Sequence, residues 1–251
     1  MNSLLANVTV NAQVDSNDLI ARASGLVATL RSRTREVDEL ARLPENTVND
    51  LDAIGAFDLM IPRQHGGLQT SVRTYMEVVS EIGRGDGSAG WACALINICN
   101  WMLATLYSKT VSDPIFASGG KVRSSGVLSP RKAQVKRVAG GILIEEGLWG
   151  FNSGVYHAQW DLLGIPIVNE AGETVDQGLA LIPIEDITLL HDWDTMALRG
   201  SGSTSVSVKN LFVPDERIAS VSKAIAGEYA STHLQGEALY RGAFIPLLAI
   251  I

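Results

Sequence analysis

Cysteine is scarce in this 251-residue sequence, which contains two, Cys93 and Cys99. Both lie in one apolar segment, with neither CxxC spacing nor a histidine at metal-ligand spacing. This pattern excludes a disulfide framework and predicts two buried thiols in a reducing compartment, which we take to be the cytoplasm. Other histidines and carboxylates also lack metal-ligand spacing, so no metal site is expected.

Positive charge is sparse as well, with 20 Lys and Arg against 27 Asp and Glu and a net charge of −7. Without a basic cluster, the sequence is not expected to bind nucleic acid. The N-terminus has no basic segment followed by an apolar one, so no secretory signal is expected. The most apolar run, Ala89–Leu106, is interrupted by Gly90, Asn97 and Asn100, which predicts a buried helix rather than a membrane span.

Motifs for nucleophilic catalysis and for nucleotide binding are missing. There is no GxSxG motif, and the four histidines are scattered along the chain. The segment Arg199–Thr204 (RGSGST) lacks the GK[ST] ending of a P-loop and precedes a strand rather than a helix. Two interpretations of it remain open: a nest of backbone amides for an anion, or a tight turn.

Helical periodicity dominates the first part of the chain. Asp15, Ser16 or Asn17 is predicted to cap the first helix, and Asp86 or Ser88 the fourth. The apolar positions of the four predicted helices fall at Leu19–Leu30, Val48–Ile54, Tyr75–Ile82 and Ala89–Tyr107.

From about Lys121 the period changes to the alternation typical of strands. The predicted strands are Val122–Leu128, Gln134–Val138, Ile142–Glu146, Leu162–Val168, Gly178–Ile184 and Ser203–Leu211. Short turns without intervening helices predict an antiparallel sandwich or barrel, and helices are predicted again at Ile218–Tyr229 and Ala238–Ile251. The predicted fold class is therefore α+β, with an N-terminal helical domain, a central antiparallel β-barrel or sandwich domain, and the start of a C-terminal helical domain.

An unusual cluster of aromatic and small polar residues ends one of these strands, at Trp149–Gly154 (WGFNSG). Flat apolar rings beside short hydrogen-bonding groups suit a planar heteroaromatic ligand with polar edges. A β-bulge filled by core aromatics explains the same residues. On the helix after Asp86, Trp91, Leu95 and Cys99 fall on one side, where they line either a pocket or the core.

The order of several blocks along the chain resembles the acyl-CoA dehydrogenase superfamily, and most closely its flavin-dependent monooxygenase branch, the oxygenase components of two-component hydroxylases. The resemblance extends from about Leu43 to the C-terminus. The blocks that carry it are Asp86–Trp91, Ser124–Pro130, Gly140-Gly141, Leu148–Gly154, Trp193–Ser203 and Phe212–Pro214.

This resemblance implies a domain division and an oligomeric state. The implied domains are an N-terminal helical domain at 1–118, a central β-domain at 119–216 and the beginning of a C-terminal helical bundle at 217–251. In the family that bundle drives tetramer formation and carries further flavin contacts, so we expect this chain to hold an incomplete one and to form a homo-oligomer, a tetramer or a dimer.

The resemblance also implies a reaction and a set of site residues. The implied activity is reduced-flavin-dependent monooxygenation of a small or medium organic substrate through a flavin C4a-hydroperoxide, with FMN supplied reduced by a flavin reductase, or with FAD, and with O₂ as co-substrate. Flavin contacts are implied for Ser125, Gly126, Trp149, Phe151, Asn152 and Ser153, with Ser153 as the catalytic candidate. Substrate contacts are implied for Trp91, Leu95 and Cys99.

Cys99 departs from the family pattern, because monooxygenase relatives commonly have a histidine two turns after the tryptophan. A thiol is a poorer base near pH 7 and a weaker hydrogen-bond partner. Phenol hydroxylation is therefore in doubt, and N- or S-oxygenation or a polycyclic substrate fits as well. Two alternatives stand beside the monooxygenase: an acyl-CoA dehydrogenase with FAD, and a truncated homologue without catalytic activity.

Overall fold

The computed structural model describes residues 15–117 and 122–250. The predicted boundary at residues 118 and 119, the N-terminal segment without a signal pattern and Ile251 lie outside these residues. The helical part contains α1 (Ser16–Ser32), α2 (Thr34–Leu40), α3 (Glu45–Ala53), α4 (Val72–Gly85), α5 (Gly87–Leu106) and α6 (Lys109–Phe116).

Side-chain caps begin the first and the fourth of the predicted helices. Asp15 accepts a hydrogen bond from the backbone amide of Asn17 at the start of α1, and Asp86 accepts one from that of Ala89 at the start of α5. Gly55 follows α3 with a left-handed backbone, at a φ of 77°, which is the conformation expected one residue beyond a helix. The sequence did not predict α2 and α6, whose short apolar stripes are weak signals.

Helix α5 is the centre of the helical core. It is long and apolar enough to cross a membrane, but 89% of its apolar window is buried inside the protein, which makes it a core helix. Its two asparagines bind backbone groups of neighbouring segments: Asn97 donates to the carbonyl of Ala56 at 2.7 Å, and Asn100 donates to that of Val122 and accepts from the amide of Ser124. The polar interruptions of the apolar run therefore fix the loop after α3 and the entry to the first strand.

The second part of the chain forms two four-stranded sheets. The first has the order β1 (Ser124–Val127), β4 (Trp160–Val168), β5 (Thr174–Pro183), β8 (Ile218–Ser220), and the second the order β2 (Lys132–Val138), β3 (Gly141–Trp149), β7 (Val206–Pro214), β6 (Thr188–Leu189). The predicted hairpins are present, with Gly140 and Gly172 at positive φ. The prediction of purely antiparallel sheets was wrong at one edge, where β1 and β4 are parallel, because the segment between them crosses to the other sheet.

Both faces of the first sheet are buried. Leu162, Leu179 and Leu181 belong to the helical core around α5. Alternate residues of the same strands, Leu163 and Ile182 among them, form a second core between the two sheets. The α+β class predicted from the sequence is confirmed, and the first sheet is the layer that joins its two parts.

The C-terminal region differs from the prediction. Ile218 begins a strand rather than a helix, because it pairs with Ala180 of β5, and a short helix α7 (Val221–Ile225) follows where the Ser220 hydroxyl accepts from the amide of Lys223. The predicted helix at Ala238–Ile251 is a single turn at Ala238–Arg241 followed by α8 (Phe244–Leu248). Between the two, Gly242 has an extended backbone, at a ψ of 140°, that interrupts the helix. The division into domains at 118 and 216 remains a prediction.

Trp149, at the end of β3, fills the core between the sheets. Its ring is fully buried, and its indole nitrogen donates a 2.7 Å hydrogen bond to the carbonyl of Gly164. The ring lies over Gly147, two residues earlier on the same face, where a Cβ atom would come within 2.0 Å of it. Gly147 therefore makes room for Trp149.

We expect Trp149→Ala to lower the free energy of unfolding by about 3–5 kcal/mol, because it leaves a large cavity and an unpaired carbonyl. Urea denaturation measures the change. Trp193→Ala, which removes a half-buried loop indole, is the matched control, with an expected loss of about 1 kcal/mol or less. Equal losses in the two variants would contradict the core role of Trp149.

Candidate cofactor site

The loop after β3 carries a residue in a strained conformation. Phe151 has a left-handed backbone, at a φ of 65°, which disfavours residues other than glycine, asparagine and aspartate. The amide of Asn152 donates to the carbonyl of Thr204 at 3.3 Å, and that of Gly154 donates to Ser201 at 3.0 Å. The segment before β7 therefore supports this loop from one side.

Phe151 presents a flat apolar face to solvent. Its side chain is 67% exposed, although it is a large aromatic. The Trp193 ring meets it edge to face, with ring centroids 6.0 Å apart, and the Arg131 guanidinium lies 5.3 Å from its centroid. An exposed aromatic held in a strained backbone contributes little to stability, which points to a binding role.

Trp91 connects helix α5 to the same loop. Its indole nitrogen donates a 3.0 Å hydrogen bond to the hydroxyl of Ser153, and 38% of the residue is exposed. The Ser153 hydroxyl lies 2.6 Å from that of Ser203, which lies 2.7 Å from that of Ser201. The Ser201 hydroxyl in turn donates to the carbonyl of Leu198 at 2.8 Å. Three serine hydroxyls thus form one chain that begins at Trp91.

The two ends of this hydroxyl chain fix the direction of its protons. An indole N–H only donates and a carbonyl oxygen only accepts, while each hydroxyl has one proton to give. All four hydrogen bonds are satisfied in one arrangement, in which Ser153 donates to Ser203 and Ser203 donates to Ser201. Ser153 therefore offers a lone pair, and no proton, to a further partner.

Helix α5 places the other two predicted substrate residues differently. Leu95 is half-buried one turn after Trp91, so the two share the partly exposed side of the helix. Cys99 is buried, and a Cβ atom on Gly126 would lie 3.2 Å from its sulfur. Burial, with a smaller contribution from Asp161, raises the pKa of the Cys99 thiol well above its ordinary value, so it remains protonated at neutral pH. A substrate contact through Cys99 would require its packing against β1 to open.

A buried polar cluster lies beneath the loop. Asp161, at the start of β4, accepts hydrogen bonds from the Ser125 hydroxyl at 3.0 Å and from the Asn152 amide at 2.5 Å. All three side chains are inaccessible to solvent. Burial raises the pKa of Asp161 to about 7, although the hydrogen bonds from Ser125, Asn152 and the Leu162 amide oppose the shift.

The residues predicted to bind flavin therefore separate into two groups. Phe151 is exposed, and Ser153 lies beside the exposed Trp91. Ser125, Asn152 and Trp149 form the buried support, with Gly126 in close contact with Cys99. The flavin contact implied for Trp149 needs correction, because its ring is enclosed between the two sheets and has no free face.

Sequence reasoning assigned no role to Asp161, Ser203, Arg131 and Trp193. The signal for Asp161 was an ionisable residue directly before an apolar strand, and for Ser203 the hydroxyl-rich RGSGST segment. In the structure this segment is a tight turn, in which Leu198 and Gly202 have left-handed backbones and the hydroxyls of Ser201, Ser203 and Thr204 bind partners within the protein.

Within residues 15–117 and 122–250, no three His, Cys, Asp or Glu side chains are arranged for a metal ion.

The residues present fit a flavin at this position. Phe151 offers a flat face, Ser153 an acceptor, and Arg131 a positive charge beside the ring. The Oδ1 atom of Asn152 is buried without a hydrogen-bond partner among the described residues. It is therefore an unused acceptor beside the exposed loop.

We expect Asp161 to make stability fall as pH rises. Its folded pKa of about 7 lies above its ordinary value of 3.8, so the folded state holds the proton more tightly. This contribution is complete below about pH 4 and is lost as pH rises through about 7, at roughly 1.4 kcal/mol per unit of pKa difference.

Urea denaturation from pH 4 to 8 checks this expectation: the free energy of unfolding of Asp161→Asn, taken relative to that of the wild type, should increase as pH rises, because the variant lacks the loss that Asp161 causes. Asp176→Asn is the control: burial raises the pKa of Asp176, but the hydrogen bonds from Ser220, Ser222 and the Gln177 amide together outweigh it, so the pKa is lowered. In that control the free energy of unfolding should depend on pH as it does in the wild type. An unchanged slope in Asp161→Asn would contradict the titration of this carboxyl.

Comparison with known proteins agrees with this geometry. Residues 21–111 match the acyl-CoA dehydrogenase N-terminal domain. The oxygenase subunit HsaA of a flavin-dependent monooxygenase from Rhodococcus jostii is 36% identical over 79% of this chain and 51% of its own length. The corresponding relative from Mycobacterium tuberculosis is 34% identical over 83% of this chain and 52% of its own length. The chain thus spans about half the length of these relatives.

Solved structures give the same result. The HsaA monooxygenase of M. tuberculosis superposes with a TM-score of 0.86 at 30% identity, covering 93% of this chain and 60% of that one. XiaF from Streptomyces, solved with FADH2 and glycerol, gives 0.82 at 26% identity, covering 93% and 58%. The chain therefore carries an acyl-CoA dehydrogenase N-terminal domain, and over about half of their length it is similar to the oxygenase subunits of flavin-dependent monooxygenases.

Proposed function

We propose that this chain is the oxygenase component of a reduced-flavin-dependent monooxygenase that acts on a small or medium organic molecule. The observation that carries the proposal is the contact between α5 and the loop after β3. There Trp91 binds Ser153 beside the exposed face of Phe151. An apolar surface with one oriented polar group is the composition of a site for a planar cofactor and an organic substrate.

The direction of the hydroxyl chain favours the reduced form of a flavin. Ser153 accepts from Trp91 and donates to Ser203, so a ligand that meets it must supply a donor. A reduced flavin carries ring N–H groups that the oxidised form lacks. An acceptor at the ligand would require Ser203 to turn its proton, at the loss of one hydrogen bond worth about 1 kcal/mol.

The residues of this chain bind and orient, while the flavin supplies the redox chemistry. When bound, reduced flavin provides the two electrons with which one atom of O₂ is inserted into the substrate and the other leaves as water. Phe151 and Arg131 would hold the flavin ring system, and the Ser153 hydroxyl would accept a hydrogen bond from it. Trp91 and Leu95 give the substrate an apolar wall and hold it near the reacting atoms.

The thiol at Cys99 does not act as a base, because burial keeps it protonated. The substrate is therefore one that needs no deprotonation by this helix, such as a heteroatom-containing or polycyclic aromatic. FMN or FAD is delivered reduced by a separate flavin reductase, and O₂ is the co-substrate. The enzyme is cytoplasmic, as its two buried thiols indicate, and it assembles as a homo-oligomer, a tetramer or a dimer, as the resemblance of its sequence implies.

Anaerobic titration with reduced FMN and reduced FAD tests the proposal. We expect a Kd of micromolar or lower, about −8 kcal/mol, and weaker binding of the oxidised forms. Aerobic turnover with a flavin reductase and ¹⁸O₂ should then place ¹⁸O in the product of an indole or thiophene probe. Oxidation of an acyl-CoA without oxygen incorporation would contradict the proposed reaction.

We expect Phe151→Gly to separate binding from stability. The variant loses an aromatic contact with the flavin worth about 0.5–1.5 kcal/mol, which raises the Kd for reduced FMN roughly twofold to tenfold. Its free energy of unfolding should stay the same or rise by about 1 kcal/mol, since glycine relieves the left-handed backbone.

Fluorescence titration and urea denaturation measure the two effects in Phe151→Gly. Phe212→Ala is the control, because it removes an exposed phenylalanine from β7, away from the loop. Its affinity for reduced FMN should equal that of the wild type. If Phe151→Gly were less stable but equally tight in binding, Phe151 would have a structural role and not a binding one.

A further inference from the structure

Asp161 joins three separate segments of the chain in the interior. Its own strand is β4, the hydroxyl that binds its Oδ1 atom comes from Ser125 of β1, and the amide that binds Oδ2 comes from Asn152 of the loop after β3. Ser125 and Asp161 are also direct partners in the parallel pairing of β1 and β4. The carboxyl is thus the point at which the loop is attached to the first sheet.

The loop depends on this attachment. Asn152 lies between Phe151, which has a strained backbone, and Ser153, which binds Trp91. Its own backbone amide makes a long hydrogen bond of 3.3 Å to Thr204, whereas its side chain makes one of 2.5 Å to Asp161. The side-chain bond is the closer of the two that hold this residue.

Among the residues that the structure describes, no charged side chain offsets the Asp161 carboxylate. Burial is the largest cause of its raised pKa, and only the hydrogen bonds from Ser125, Asn152 and the Leu162 amide oppose it. The neighbouring titratable group is the Cys99 thiol on α5, whose own pKa is raised in part by Asp161. Its partner across β5, Ile182, is apolar. Asp161 therefore depends on neutral donors.

Protonation of Asp161 changes whether it needs a hydrogen-bond donor or an acceptor from Asn152. The carboxylate accepts from the Nδ2 group, but a carboxylic acid must donate its proton and needs an acceptor. The Oδ1 atom of the same amide is buried and has no partner among the described residues, so rotation of the amide by half a turn would supply that acceptor. Each protonation state of Asp161 thus favours one orientation of the Asn152 amide.

We propose that Asp161 is a positioning residue for Ser153: through Asn152 it sets the loop so that the Ser153 hydroxyl meets the indole of Trp91. This inference rests on the proposed function only in that Ser153 faces the cofactor there. It predicts that a change at Asp161 alters the Trp91–Ser153 hydrogen bond, although Asp161 touches neither residue's side chain.

The indole N–H signal of Trp91 in ¹H–¹⁵N spectra reports that hydrogen bond without any flavin, and Trp91→Phe assigns it. In the wild type we expect the signal to move between pH 5.5 and 8.5 with a midpoint near 7. In Asp161→Asn it should be displaced and independent of pH, and the Kd for reduced FMN should rise at least fivefold. Asp176→Asn, which alters a carboxylate that also binds two hydroxyls, is the matched control and should behave as the wild type.

The exchange variant Asp161→Asn/Asn152→Asp restores one carboxyl and one amide at the same place. It should recover most of the wild-type signal and affinity, whereas Asn152→Asp alone places two carboxyls together and should not. If Asp161→Asn fails to fold, Asn152→Ala is the second variant, because it removes the amide without changing a charge, and it should displace the Trp91 signal in the same way.

A Trp91 signal that is the same in the wild type and in folded Asp161→Asn or Asn152→Ala would overturn the positioning role. Failure of the exchange variant to recover the signal would overturn it too. If the wild type binds no reduced FMN, the proposed function fails, while the Trp91 signal still decides the role of Asp161.

Discussion

The structure depends on one buried helix that packs between the other helices and the first sheet. Helix α5 is apolar on nearly every side, so it can only lie in the interior, and the helices on one side and the first sheet on the other cover it. Its polar atoms determine how they are placed. Asn100 binds the backbone on both sides of the entry to β1, and a buried amide left without those partners would cost about 1–3 kcal/mol. The helical and sheet parts therefore have one relative position, and the edge where they meet carries Trp91, Ser153 and Phe151.

This edge combines a buried, rigid support with one exposed residue whose backbone is strained. Trp149, Ser125, Asn152 and Asp161 are buried and bonded to each other or to the backbone, whereas Phe151 is held outward in a conformation that costs energy. Such a division is expected where a site must keep its geometry without a ligand. It also explains why a stretch of aromatic and small polar residues looked equally like a binding surface and like a core: it is both, because Phe151 and Ser153 face the site while Trp149 and Asn152 are buried support.

The sequence predicted the elements whose signals are local. The capped helices and the glycine hairpins could be read from Asp15, Asp86, Gly55 and Gly140, because caps and positive φ act within a few residues. The two-residue β6, the strand at Ile218 and the parallel pairing of β1 depend on partners far away in the chain, which periodicity does not report. At the site, Gly147 before Trp149 was the available sign that a large ring occupies the space over its own strand. The direction of a side chain at a strand's end, which separates Trp149 from Phe151, follows from the bend of the loop and needed coordinates.

The two-sided burial of the first sheet has a consequence for how β4 finds its alignment. A strand with one solvent-exposed face is aligned by its alternation of apolar and polar residues. In β4, Leu162 and Leu163 are both apolar, so each could pack in the core that the other occupies. A slip by one residue would turn the Asp161 carboxyl to the opposite face, away from Ser125 and Asn152, and leave it among side chains that cannot solvate it. Asp161 thereby specifies the register of a strand that is otherwise apolar on both faces. Hydrophobic replacements of Asp161 would be expected to produce chains in which β4 is misaligned during folding, and not only less stable proteins.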